Sequence, residues 1–161
     1  MNVRPLDDDD RAWLRGVLED GWGGQTMVGA GRPFRPAEHD GFVAGDRAGV
    51  VTYRIADGAC EVTMMESFPP GNGAGTALMD AVVVAARAAG ADRVWLVTTN
   101  DNLRAQAFYG RRGFRVVAVR EGAIDDARRR FKPTIPLHNE GTGLPIRDEI
   151  ELELDLRPPA A

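Results

Sequence analysis

The sequence predicts a mixed α/β (α+β) domain with a mostly antiparallel sheet, and three stretches carry that expectation. Residues 41–44, 49–55 and 59–67 are extended runs separated by Gly45-Asp46-Arg47 and Asp57-Gly58, the pattern of an antiparallel meander. Residues 149–156 alternate strictly, with Ile150, Leu152, Leu154 and Leu156 opposite Glu149, Glu151, Glu153 and Asp155. Period two over that length marks a half-buried antiparallel strand, with its acid row expected to face solvent. Between these stretches, residues 76–89 place Leu78, Val82, Ala85, Ala86 and Ala89 at helical spacing and stop at Gly90.

The remaining elements follow in order. Residues 3–6 form a short first strand. The acidic run 7–10 precedes a helix at about 11–20, which carries Trp13, Leu14, Val17 and Leu18 on one face. Acid at a helix start complements the macrodipole, so the run is a cap rather than a metal site. Residues 21–40, with Trp22, Met27 and Phe34, are too long for a simple turn and form a candidate functional loop. A strand at 93–98, a helix at 102–112 and a strand at 114–120 come next. A short extra helix (124–131) and a Pro- and Gly-bearing loop (132–147) then lead to the last strand. The length of 161 residues suits one domain, with an inserted helix-loop at about 122–148.

Composition excludes several classes. A net charge of -4 supplies no basic face for nucleic acid. No apolar run approaches a membrane span, and the N-terminus is acidic, so a cytoplasmic protein without a membrane partner is expected. Cys60 is the only cysteine, which excludes an internal disulfide and a thiolate metal site; a buried structural thiol is expected. His39 and His138 lie in separate loop-like regions, and no metal is expected.

The most informative stretch is Gly71-Asn72-Gly73-Ala74-Gly75, between a strand stopped by Pro69-Pro70 and the start of a helix. Glycines let a ligand approach the backbone, the first N–H groups of a helix lack partners, and the macrodipole favours negative charge. The turn therefore predicts a phosphate or pyrophosphate ligand. A P-loop would need a lysine beside the glycines, but the only lysine is Lys132. A dinucleotide fingerprint would need a third glycine, which is absent.

A second segment narrows the ligand. Asn102-Leu103-Arg104-Ala105-Gln106-Ala107-Phe108-Tyr109, followed by Gly113-Phe114, comes just after an apolar strand. Together with Gly73 and Gly75 it closely resembles the GNAT superfamily of acetyl-CoA-dependent N-acetyltransferases. That superfamily carries Arg/Gln-x-x-Gly-x-Gly/Ala at a pyrophosphate turn, then N-x-x-A-x-x-F/Y-Y and a G-F pair. The resemblance is good over residues 61–119. One departure is Pro70, which stands where the family has Arg or Gln and supplies no donor.

The resemblance implies helices on both faces of the sheet and a splayed parallel strand pair at the cofactor site. It implies acetyl-CoA as acyl donor, with no metal. The cofactor would be held by Met65, Phe68, Gly71, Asn72, Gly73, Ala74, Gly75, Thr76, Asn102 and Tyr109. Met65 offers backbone to the pantetheine, and Tyr109 is the acid beside the departing sulfur. For the base, Glu61 shares a face with Thr63 and Met65 if the strand is regular; Glu66, re-aimed by a bulge, or a water chain are the alternatives. The acceptor is a small-molecule or peptide amine, walled by the 122–148 insertion with Arg130, Lys132, His138 and Arg147 as polar candidates. A homodimer contact there is the other use of that segment, and an acyl-CoA-binding module without turnover is the rival function.

Overall fold

The computed structural model describes residues 1–159. In chain order the elements are β1 (Val3–Pro5), α1 (Asp8–Gly21), β2 (Met27–Gly29), β3 (Arg32–Phe34), a 3-10 turn (Pro36–Glu38), β4 (Asp40–Ala44), β5 (Gly49–Ala56), β6 (Ala59–Ser67), α2 (Ala74–Ala88), β7 (Arg93–Thr99), α3 (Leu103–Arg111), β8 (Arg115–Arg120), α4 (Ala123–Arg130) and β9 (Glu149–Asp155). The chain divides into two compact units. Met1–Gln25, Arg35–Val94 and residues 155–159 form the first; Thr26–Phe34 and Trp95–Leu154 form the second.

The first unit is a sheet in the order β1-β4-β5-β6, antiparallel throughout, as the meander predicts. α1 begins at Asp8 rather than near Arg11, because Asp7 is the cap. The Asp10 amide donates to Asp7 Oδ1 at 2.8 Å, and the Asp7 amide donates to Asp10 Oδ2 at 3.0 Å. Asp10 is fully buried, and its carboxylate takes Arg4 at 2.5 Å and Arg47 at 3.1 Å. These guanidiniums, Arg4 foremost, hold the Asp10 carboxyl well below the usual range. One acid thereby ties β1, α1 and the β4–β5 turn together.

The register of β5 on β6 corrects the expected strand face. Thr52 pairs with Met64 but Tyr53 pairs with Val62, so Thr63 is an extra, bulged residue. Cross-strand partners share a face. Glu61 (opposite Arg54), Met64 (opposite Thr52) and Glu66 (opposite Val50) therefore lie together, while Val62 and Met65 lie on the other face. Glu61 and Met65 do not share a face, because the bulge inverts the alternation between them. α2 covers the Met65 face: a Cβ on Gly49 would lie 2.7 Å from Ala74 Cβ and 3.1 Å from Leu78 Cδ1. The end of α1 covers the other, where the Trp22 indole N–H donates to Glu66 Oε2 at 2.6 Å. Leu14, Leu18, Val43, Val51, Leu78 and Met79 fill the core without solvent contact.

The second unit has the strand order β7-β9-β8, with β8 and β9 antiparallel. Residues 26–34, expected to be part of one long loop, form the hairpin β2–β3. Its two-residue turn has Ala30 and Gly31 both at positive φ (52° and 75°), the conformation that suits hairpin twist. Alanine at the first of these positions hides the signal in the sequence. The acid row of β9 is also not simply solvated. Glu149 is 4% exposed, accepts Arg120 at 2.8 Å and accepts the Ala30 amide at 3.0 Å, which fastens the hairpin to β9. Glu149 is the buried acid of this row, Asp155 is exposed, and Arg120 bridges Glu149 to Glu151, which it reaches at 2.7 Å.

Candidate active site

The glycine turn folds around one side chain. Asn72 Nδ2 donates to Ala48 O at 2.9 Å and to Phe68 O at 3.0 Å, and its Oδ1 accepts the Ala74 amide at 2.9 Å. Asn72 is thus the staple of the turn, and the Ala74 amide is committed to it. The Asn72 side chain and the Ala74 N–H are therefore spent on shaping the turn. Gly71 and Gly73 take positive φ (80° and 88°), and Gly73 caps α2 in the left-handed region. α2 starts two residues earlier than its apolar spacing suggests, so Gly75 and Thr76 lie in its first turn, where helix geometry provides no carbonyl for their amides. A Cβ on Gly73 would meet nothing within 4 Å, so the space before the turn is open. No acidic residue stands in that first turn to oppose an anion. Phe68 does not face this space alone: its ring meets Trp13 edge-on at 5.7 Å, and its amide donates to Ala48 O at 2.8 Å.

In the second unit Asn102 caps α3, accepting the Ala105 amide at 3.2 Å. Tyr109, 8% exposed, is packed between Phe108 and Phe114 at ring distances of 5.3 and 5.5 Å. Burial pushes its hydroxyl up to about 12. The phenol is therefore a hydrogen-bond donor at any working pH, better suited to stabilising a thiolate than to transferring its proton outright. Burial likewise pushes the Cys60 thiol up to about 12, with Glu61 adding to it, as befits a structural cysteine. Among the described residues, no group of three or more His, Cys, Asp and Glu side chains could hold a metal ion, and no helix is long and apolar enough to cross a membrane.

The family model for the acetyltransferase (GNAT) family matches residues 29–114, more than half of the chain and including both motif regions. The chain belongs to the GNAT family. The GNAT domain is 42% identical to the Bacillus subtilis protein YdhI over 154 residues, covering 93% of this chain and 95% of that one. Among solved structures it is similar to yncA of Salmonella typhimurium with its cofactor acetyl-CoA (TM-score 0.68, 16% identity, 99% of this chain and 96% of that one). It is also similar to a Bacillus subtilis acetyltransferase in complex with CoA (TM-score 0.65, 18% identity, 97% and 99%). The mixed α/β fold with a mostly antiparallel sheet is thus the GNAT fold.

Within the GNAT domain, the two carboxylates considered as base are both engaged. Glu61 is 4% exposed and takes Arg54 Nε at 2.8 Å; Glu66 takes the Trp22 indole. Of the acids and bases in the insertion, Arg147 pairs with Asp148 at 3.1 Å, and Arg130 reaches Asp126 at 3.3 Å and stacks on Phe131. Burial lowers the Lys132 pKa, while His138 is exposed and its backbone bridges Pro145. Sequence reasoning missed a cavity of about 220 Å³ lined by Val28, Ala30 and Gly31 of the hairpin, Ala123, Asp126, Ala127 and Phe131 of α4 and its end, and Arg120 with Glu149. It also missed His39, whose Nδ1 lies 2.9 Å from Thr63 Oγ1. No sequence pattern reports either, because both depend on pairing between distant segments.

Proposed function

We propose that this chain transfers the acetyl group of acetyl-CoA to a primary amine by direct attack. The observation that carries the reading is the stapled turn 68–76: Asn72 consumes its own contacts to shape the turn, while the amides of Gly75 and Thr76 and the open space before Gly73 remain for a pyrophosphate. In this reading the pantetheine lies along the backbone of β6 at Met65, and the Tyr109 hydroxyl hydrogen-bonds the departing sulfur. Gly71, Phe68 and Asn102 border the cofactor. The cavity between the β2–β3 hairpin and α4 receives the acceptor, whose ammonium Asp126 and Glu149 would attract. The domain acts in the cytoplasm, as a monomer or a homodimer.

Calorimetry with CoA, then thiol release from acetyl-CoA over a panel of amines, tests the reading. Gly73→Ala places a methyl in the open space and should weaken CoA binding at least tenfold, beyond the roughly 1–2 kcal/mol of stability lost to left-handed strain. Unchanged CoA affinity in the folded variant rejects the cofactor site. Tyr109→Phe should lower kcat by about a hundredfold while CoA affinity holds. CoA binding without thiol release for any amine would instead favour a binding module, the reading to which the missing donor at Pro70 leans.

A further inference from the structure

The cavity between the β2–β3 hairpin and α4 lies wholly within the second unit, and it exists because the residues around it are small. α4 contributes Ala123, Asp126 and Ala127, at i, i+3 and i+4 on one face of the helix, and the hairpin tip contributes Ala30 and Gly31. Both walls are set without a ligand. The Ala30 amide is fastened to Glu149 at 3.0 Å. The start of α4 is fixed by the Gly122 amide on Asp148 and the Ile124 amide on Arg147 O, each at 2.9 Å. Its end is fixed by Arg128, which takes the carbonyls of Ile135, Pro136 and Ile146. Val28 and Phe131, the latter 37% exposed, supply the larger apolar surfaces.

Volume limits the occupant. The cavity's 220 Å³ exceeds the roughly 150 Å³ that receives a benzene ring and falls short of the roughly 300–1,000 Å³ of sites for drug-sized ligands. One ring with a short polar tail fills it, whereas most of a polyamine or a peptide stays outside. Charge sets the sign. The Arg120 guanidinium is shared between Glu149 and Glu151, at 2.8 and 2.7 Å, and Glu149 spends its second oxygen on the Ala30 amide. Asp126 is different. Its side chain is 47% exposed, and Arg129 and Arg130 reach it only at 3.5 and 3.3 Å from still more exposed positions. Pairs of that kind contribute little, so an incoming ammonium displaces them readily. An incoming carboxylate would meet two acids and a guanidinium already divided between carboxylates.

We infer that this cavity selects compact monoamines bearing one ring-sized apolar body, with the body against Phe131 and the alanines of α4 and the ammonium on Asp126. Its use rests on the acetyltransferase reading above, in which such an amine is the acetyl acceptor; the binding itself requires no turnover. Burial of the apolar body supplies affinity, and Asp126 supplies the preference for a cation. A lysine side chain would bring the cation and leave the ring-sized space empty.

Lys132 is the chain's single lysine, it follows Phe131, and its amide donates to Ala127 O at 3.0 Å. Labelling with α-15N-lysine therefore gives one amide signal, at the cavity wall, that needs no assignment. Phenylethylamine added to the full chain should shift that signal saturably through its ring current. Its uncharged counterpart 2-phenylethanol should need about tenfold more, while 3-phenylpropanoate and spermidine leave the signal in place. Asp126→Asn should weaken the amine titration about tenfold and remove its advantage over the alcohol, with CoA affinity unchanged. Ala123→Leu should fill the cavity and abolish the shift. Equal titration by amine and alcohol, or an undiminished titration in Asp126→Asn, overturns the inference. In thiol-release assays with acetyl-CoA, phenylethylamine should exceed spermidine and a lysine-bearing peptide by about tenfold or more in kcat/KM, and Asp126→Asn should raise its KM while kcat holds. Preference for spermidine or the peptide overturns the inference and leaves the acetyltransferase reading standing. No thiol release from any amine, with the Lys132 signal still shifted by phenylethylamine alone, sinks that reading and supports the selectivity of the cavity.

Discussion

Residues 68–76 and residues 131–148 are both glycine-bearing loops held by polar side chains, one in the first and three in the second, and they dispose of their backbone groups differently. In the first, Asn72 satisfies two carbonyls and one amide and leaves the next amides pointing out of a helix start. In the second, the Arg128 guanidinium takes the carbonyls of Ile135, Pro136 and Ile146, while Asn100 takes Pro145 O and the amides of Arg147 and Asp148. Asn139 takes the amides of Gly141 and Thr142 and donates to Asp101. The first loop is a donor surface with a staple behind it. The second consumes its own polar groups and is suited to being a wall.

The largest expected effect comes from unseating the donor surface. Gly49→Val would drive a side chain into Ala74, whose Cβ would already stand 2.7 Å from the first added atom. CoA affinity should fall more than tenfold by calorimetry, with about 1–3 kcal/mol lost in urea melts. Normal CoA affinity would mean that the seat of α2 on β5 does not set the donor surface. Asn72→Ala and Arg128→Met form a matched pair. Each leaves carbonyls unsatisfied and should cost about 1–3 kcal/mol, but only Asn72→Ala should weaken CoA binding. Equal CoA affinities in the two variants would erase the contrast between the loops.

A smaller effect is expected from replacing residues 134–144 with a Gly-Ser turn. CoA binding should persist while acceptor KM or selectivity shifts; unchanged acceptor kinetics would leave the segment a surface excursion or a dimer contact. The smallest concerns acid. The Asp10 carboxyl is depressed in the fold, so its stabilisation is complete above the unfolded value of about 3.9 and is lost as pH falls below it. Melting temperature should drop between about pH 5 and pH 3, and Asp10→Asn should flatten that slope. An unchanged slope would place the acid sensitivity elsewhere.

The meander, the strand–glycine turn–helix and the alternating last strand are written in local spacing, because period and turn chemistry are properties of neighbouring residues. The N-cap at Asp7 and the left-handed caps at Gly73 and Gly122 belong to the same class. Family membership was legible for the same reason, since both motifs are short and contiguous. Tertiary structure alone decided the rest. The bulge at Thr63, which parts Glu61 from Met65 and reaches His39, depends on how β5 pairs with β6, and nothing in the spacing of β6 reports its partner's register. Burial of Glu149 against Arg120 and the Ala30 amide likewise joins residues up to 119 positions apart. Asn72 became the staple of its turn because Ala48 O lies within its reach, 24 positions away in sequence. Local chemistry specifies which elements form; the partners that fold against them decide which polar atoms are consumed and which are left for function.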